Sequence, residues 1–136
     1  MSNDFSVKVF VSAILHDGNG KVMMAKRGGQ ARDRHGEWEF GGGFLEAGET
    51  LEEALIRETK EELTVELHDI RQLFTHDFVR ESGTWLGVFY LCRVNPAAVI
   101  IAEPVYDELG WFTPEELPEP TFEITRELIA KAKPYL

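Results

Sequence analysis

Gly43 to Val65 reads GFLEAGETLEEALIRETKEELTV and carries the strongest structural signal in the chain. Thr50 stands three residues before Glu53, the spacing at which a hydroxyl and a glutamate cap each other's backbone N–H groups. Leu51 to Leu63 contains neither Gly nor Pro, so the spacing predicts a helix over those residues. At about 100° per residue, Leu51, Ala54 and Leu55 form one apolar stripe. Glu58 and Glu62 continue that stripe, with Glu61 at its flank, so the core-facing side turns acidic midway along the helix. An i,i+4 pair of like charges costs a few tenths of a kcal/mol when exposed and more when buried, which packing alone does not justify. A divalent cation does: clustered carboxylate oxygens suit Mg²⁺ or Mn²⁺, which keep several waters and also bind phosphates. The wheel admits a second reading, in which the three glutamates lie on a solvated face while Ile56, Thr59 and Leu63 join the core.

Working outward, Phe5 to Leu15 is rich in Val, Phe and Ile, and Asp17-Gly18-Asn19-Gly20 separates it from Lys21 to Ala25. Such a turn supplies the positive-φ residues of a tight hairpin. Residues 27–37 (RGGQARDRHGE) form a polar, basic loop, followed by a strand over Trp38–Phe40 and Phe44-Leu45 broken by Gly41-Gly42-Gly43. Downstream, Ile70–Val79 and Trp85–Val94 have strand composition about a Glu81-Ser82-Gly83 turn, and Val105–Phe112 adds a further strand. Thr113-Pro114-Glu115-Glu116 has the cap, proline and glutamate of a short helical turn, and Thr121–Lys133 reads as a closing helix. This order predicts an α+β fold, with residues 1–136 as a single layered domain and a mixed or antiparallel sheet.

The residues from Gly43 onward resemble the Nudix box. Its pattern is Gly, five residues, Glu, seven residues, Arg-Glu, an aliphatic, any residue, Glu-Glu, any residue, Gly and an aliphatic. Here Gly43, Glu49, Arg57, Glu58, Glu61, Glu62 and Val65 match it. Thr59 replaces the aliphatic, Thr64 replaces the glycine that would end the helix, and Phe40 replaces a proline often found before the glycines. The resemblance implies an α/β/α sandwich with a mixed β-sheet and cleavage of a nucleoside diphosphate linked to another group. It implies Glu58 and Glu62 as the main ligands of Mg²⁺ (or Mn²⁺), Glu61 as a further ligand, and the Gly42 carbonyl completing the shell. Arg57 and Glu49 resemble the pair that orients the helix, an Arg fork gripping a carboxylate at two points. The general base in such enzymes is a box glutamate or one in a later loop, which makes Glu58, Glu103 and Glu108 the candidates. The expected reaction is hydrolysis of a nucleoside or deoxynucleoside triphosphate to monophosphate and pyrophosphate. A nucleotide sugar or dinucleotide is the alternative substrate, and a nucleotide-sensing Nudix domain without turnover is the alternative role.

Composition bounds the partners. The 136 residues carry a net charge of −10, which opposes phosphate-driven binding of polymeric nucleic acid. Residues 43–66 hold 8 acids against Arg57 and Lys60, so much of the charge sits in the box. A small metal-bound polyphosphate remains compatible, because the cation inverts the local field. Lys26, Arg27, Arg32 and Arg34 make the only basic cluster; Lys26, Arg27 and Arg34 are candidates for phosphate contact and Trp38 for base stacking. No apolar run is long enough to span a membrane, and Cys92 is the sole cysteine, so the expected address is the cytoplasm. The sequence leaves a homodimer open. Neither G-x-S-x-G nor a P-loop is present, which excludes those chemistries.

Overall fold

Alternation along the first strand sets the layers. In the computed structural model, which describes residues 6–136, β1 (Val7–His16) turns Val11, Ala13 and Leu15 to one face and Ile14 to the other. Phe5, expected to begin this strand, lies outside the described residues. The remaining elements are β2 (Val22–Arg27), β3 (Trp38–Glu39), β4 (Gly42–Phe44), α1 (Leu51–Leu63), β5 (His68–Arg80), β6 (Gly83–Arg93), β7 (Tyr106–Phe112) and α2 (Thr125–Ala132). On the first face Val88, Tyr90 and Cys92 of β6 join the β1 residues beneath Ala54, Leu55 and Leu63 of α1. On the second, Met24, Phe89 and Leu91 pack under Ile124, Leu128, Ile129 and Ala132. The result is a sheet between two helical layers, as the sequence led us to expect.

The sheet is mixed, with strand order β3-β2-β1-β6-β5, β4 added on β1 and β7 on β2. β1 and β6 run parallel from Val7↔Thr84 to His16↔Arg93, and the other pairs are antiparallel. β1 and β2 meet only at Leu15↔Met23 and His16↔Val22. Beyond that point they diverge, and the segment from β3 to β4 crosses the opening from one to the other. Gly41, Gly42 and Gly43 therefore sit in a cleft between two halves of the sheet.

Local signals account for most boundaries. Asp17 Oδ1 accepts from the N–H groups of Asn19 and Lys21, while Gly18 and Gly20 take positive φ, closing the β1–β2 turn. Thr50 and Glu53 form the reciprocal cap of α1. Thr113 to Glu116 makes the expected single hydrogen-bonded turn. One expectation needs correction: the closing helix starts at Thr125 rather than Thr121, because the chain from Trp38 bonds Pro120 and Phe122 as an extended segment.

Thr64 ends α1 in the left-handed region, at φ 52° and ψ 34°, the conformation a glycine adopts without cost. Thr59 is buried and returns its hydroxyl to the Leu55 carbonyl at 2.8 Å, which satisfies the polar atom that replaces an aliphatic. Thr64→Gly is expected to stabilise the protein by about 1 kcal/mol by removing β-branched strain at positive φ. Urea denaturation checks this; an unchanged or lower midpoint would show that the threonine is not strained.

Candidate active site

The second half of α1 turns acids toward the sheet. Glu62 is 6% exposed and the Glu58 side chain 17%, whereas the Glu61 side chain is 51% exposed. Thr59 and Leu63 are buried with Glu62, while Ile56 faces solvent. The buried face thus combines parts of both wheel readings. Room for the carboxylates comes from the glycines: a β-carbon on Gly43 would lie 2.2 Å from Cδ of Glu58, and one on Gly41 2.8 Å from Oε1 of Glu62.

The β1–β4 ladder bonds Ala13 N–H to the Gly41 carbonyl and Leu45 N–H to the Val9 carbonyl. Alternation in an antiparallel ladder then turns the N–H and C=O of Gly42 away from β1. The Gly42 N–H faces Glu62 and favours its charged form. Even so, Oε1 of Glu62 is buried with no hydrogen-bond partner. Burial first, and then the charges of Glu58, Glu103 and Glu39, push the Glu62 carboxyl up to about 8. Burial also raises Glu58, opposed by its bond to Arg57. An orphaned carboxylate oxygen beside a second inward carboxylate is costly unless a cation or proton completes it.

Among the described residues, no three His, Cys, Asp or Glu side chains are gathered into a cation cage. Glu61 turns to Arg57 at 3.4 Å instead of joining the other two acids. Two carboxylates and a carbonyl nevertheless fit Mg²⁺, which uses one or two carboxylates and fills the rest of its octahedron with water and substrate phosphate.

Arg57 is the hub that holds this arrangement. Its Nε and Nη2 grip the two Glu49 oxygens at 2.6 and 2.9 Å, Nη2 also donates to the Phe44 carbonyl, and Nη1 donates to Glu58 at 2.8 Å. That fork ties the loop before the helix, strand β4 and Glu58 together, and its bonds hold the Glu49 carboxyl below its usual range. Arg57→Lys keeps the charge but loses the planar fork. We expect turnover to fall ten- to a hundredfold, the usual scale for residues that orient metal ligands. Steady-state kinetics beside a thermal melt test this, and wild-type kcat would show that Glu58 does not depend on the fork.

The later loop reaches the site by a backbone strap. Ile100 N–H donates to the Leu63 carbonyl at 3.1 Å and Ala102 N–H to the Glu62 carbonyl at 2.7 Å. Glu103 follows at once, and its charge is felt by both Glu58 and Glu62. Glu108 lies elsewhere, opposite Lys26 across the β2–β7 ladder with 4.0 Å between charged atoms.

Beside the glycines opens a cavity of about 430 Å³, lined by Phe10, Phe78, Phe89, Trp85 and Phe122 together with Arg27, Arg34, Arg80, Glu39 and Glu123. Arg27 and Arg34 line it as candidates should, yet both are already paired with Glu39, at 3.2 and 2.8 Å, and with Asp33 and Glu37. Lys26 and Trp38 do not line it. Trp38 is corrected from a stacking candidate to core: its backbone pairs with Pro120 and Phe122, and its ring packs edge-on against Phe112 at 5.4 Å. Sequence reading passed over Glu39 and Tyr106, whose hydroxyl donates to Glu39 at 2.9 Å within the buried layer between the cavity and Glu62. A lone acid between Trp38 and Phe40 was the available signal for Glu39; Tyr106 had none.

A family model for the NUDIX domain matches residues 8–132. The chain belongs to the Nudix hydrolase family. It is 43% identical over 106 residues to the CTP pyrophosphohydrolase of Escherichia coli (strain K12), covering 78% of this chain and 76% of that protein. It is 35% identical over 103 residues to the NAD-capped RNA hydrolase NudC of Vibrio vulnificus, where the match covers 72% of this chain and 38% of the relative's length. Among solved structures, a MutT NUDIX hydrolase from Burkholderia pseudomallei superposes with a TM-score of 0.82 at 26% identity, covering 93% of this chain and 98% of the other.

Proposed function

We propose that the protein is an Mg²⁺-dependent pyrophosphohydrolase of small nucleotides, converting a nucleoside or deoxynucleoside triphosphate to its monophosphate and pyrophosphate. The observation that carries this reading is the partnerless Glu62 oxygen beside Glu58 at the glycine strand, next to an aromatic cavity. When bound, Mg²⁺ (or Mn²⁺) supplies charge neutralisation for the phosphates and an acidified water. Glu58, Glu62 and the Gly42 carbonyl would hold it, and Glu61 would join them only by leaving its 3.4 Å contact with Arg57. Arg57 and Glu49 position Glu58. Glu58, Glu103 and Glu108 are the candidates to take the proton of the attacking water, with Glu108, on β7, standing opposite Lys26. The aromatic cavity receives the base by stacking, at about 1–3 kcal/mol per ring.

Small nucleotides fit better than a polymer, because every arginine lining the cavity is paired with an acid and the net charge is −10. The similarity to a CTP pyrophosphohydrolase supports the triphosphate reading. No helix of the described residues is long and apolar enough to cross a membrane. A cytoplasmic address and a homodimer belong to the same proposal, the former checked by fractionation and the latter by light scattering. The function itself is tested by incubating the protein with Mg²⁺ and a panel of nucleotides while measuring phosphate and pyrophosphate. Absence of turnover across the panel sinks it.

A further inference from the structure

A second cavity, of about 510 Å³, is lined by His16, Asp69, Ile70, Arg71, Leu91 and Tyr135. Gly42 of the catalytic cleft pairs with Ser12, and His16 lies four residues further along β1, about 13 Å away at the ordinary strand rise. Strand register explains why these residues converge. Directly opposed residues share a face, so Arg71 stands beside Leu91, Leu91 beside Ile14, and His16 beside Arg93, all on the α2 side. Between His68 and Arg71 the register of β5 against β6 shifts, and Asp69 within that shift takes φ 50°. Irregularities of this kind re-aim side chains. Here Asp69 Oδ2 accepts from Nε of Arg93 at 2.9 Å. Arg71 lies over the ring of Tyr135, 4.0 Å from its centre, at the 3₁₀ turn Lys133–Tyr135.

Two donors in this cavity are left open. Arg32 apart, every other arginine among the described residues is paired with a carboxylate, as a net charge of −10 makes easy. Among the same residues Arg71 has neither a carboxylate within ion-pair distance nor an acceptor for its guanidinium N–H groups. Tyr135 braces the face of the guanidinium and leaves its N–H edge free. The ring is itself 49% exposed, so the stack is not core packing. His16 is buried, and its Nδ1 accepts from the Gly18 N–H at 3.2 Å, which places the proton of the neutral ring on Nε2. Burial, against the pull of Asp17, holds His16 below its ordinary pKa, so at neutral pH it is an uncharged donor. The one acid in the lining, Asp69, is engaged by Arg93 and held below its usual range by that bond. Arg71 therefore supplies the net charge of the wall. A free guanidinium edge beside an imidazole N–H, above an apolar floor of Leu91, is a donor set for an oxyanion.

We infer that Arg71 and His16, braced by Tyr135, form a second binding site for a phosphate group, separate from the catalytic cleft. The ligand is inorganic phosphate or a small phosphate monoester, both of which present the same oxygens to a guanidinium edge and an imidazole N–H. The Arg71 fork takes two of these oxygens and the His16 Nε2–H a third. A volume of about 510 Å³ exceeds what the bare anion fills and leaves room for the alcohol of a monoester. The site needs neither Mg²⁺ nor Glu62, so it stands independently of the function proposed above.

The test titrates the EDTA-treated protein with inorganic phosphate and, separately, with ribose 5-phosphate, at an ionic strength held constant with NaCl, while NMR follows the backbone amides and the histidine rings. EDTA removes any cation that would carry phosphate to the catalytic cleft. Saturable shifts at His16, at Asp69 to Arg71 and at Tyr135, with Gly41 to Gly43 unmoved, are the expected result. Arg71→Gln should weaken the affinity by about tenfold, the scale of one lost hydrogen bond to a charged group. Arg71→Lys, which keeps the charge without the fork, should lose less, and it carries the comparison if a thermal melt shows Arg71→Gln to be unfolded. Tighter binding of ribose 5-phosphate makes the ligand a monoester, and equal or weaker binding makes it free phosphate; either upholds the site. No saturable shift with either probe, shifts confined to the glycines, or undiminished affinity in a folded Arg71→Gln overturns it, and the proposed hydrolase function is untouched by that failure.

Discussion

Glu62→Gln is expected to lower turnover with Mg²⁺ by about a thousandfold while leaving the metal-free fold intact. The magnitude follows from losing a ligand to a cation that contributes several kcal/mol of charge stabilisation, at about 1.4 kcal/mol per decade. Survival of the fold follows from shape: glutamine matches glutamate in volume, and the replaced Oε1 makes no hydrogen bond to lose. A neutral amide in that buried position also avoids the repulsion from Glu58, Glu103 and Glu39. Glu58→Gln is expected to fall by a comparable factor, because it removes both an inward carboxylate and the group that Arg57 holds in place. Quench-flow or endpoint phosphate release gives the rate, and circular dichroism gives the fold. Full activity in Glu62→Gln would remove it from the ligand set, whereas a Glu58→Gln variant with normal kcat and a lowered melting temperature would make Glu58 structural.

How much of this was legible in the sequence depended on whether the signal was local. The helix over Leu51–Leu63 was, because its cap, its spacing and its freedom from Gly and Pro all lie within thirteen residues and the Thr50 preceding them. So was the break of the strand at Gly41-Gly42-Gly43, whereas the close approach of Glu58 and Glu62 to Gly43 and Gly41 came only with the fold. The wheel could not say which way the acids turned. That depends on the sheet beneath, and the structure resolved it by burying Glu62 together with Thr59 and Leu63 while exposing Ile56. Thr64 kept a glycine's conformation despite its side chain, so the motif's backbone requirement prevailed over local propensity.

The cavity was illegible for a different reason. Phe10, Phe78, Trp85 and Phe122 come from strands and a loop far apart in sequence, and each alone reads as an ordinary core aromatic. Only the register of β1 against β6 and the return of residues 120–122 to Trp38 bring them to one wall. The same long-range pairing moved Trp38 into the core and put Glu39 at the arginines. Charge composition pointed to phosphate contacts in the loop of residues 27–37, but it could not show that Asp33, Glu37 and Glu39 would neutralise Arg27 and Arg34.

The metal-free protein is expected to lose stability as pH rises from about 5 toward 8, the opposite of the common carboxylate trend. Glu62 sets the sign. Its folded-state pKa stands at about 8 against an ordinary 4.5, so folding favours the protonated carboxyl. Below about 4.5 the group is protonated in both states and its contribution is fully present. Between 4.5 and 8 the unfolded chain has released the proton that the folded protein still holds, and stability falls by up to 1.36 kcal/mol per pH unit. Across the window the loss is on the order of a few kcal/mol, and Glu58, raised for the same reason, adds in the same direction. A divalent cation reverses the balance, since it binds the carboxylate and must displace the proton; saturating Mg²⁺ should flatten the slope, and its affinity should weaken as pH drops below 8. Glu62→Gln should flatten the slope without any cation. Urea titrations at pH 5.5, 6.5 and 7.5, with EDTA or with Mg²⁺, measure all of this. A metal-free wild type whose stability holds steady or climbs across that range would show that Glu62 is already ionised in the fold, and the case for a cation relieving its burial would go with it.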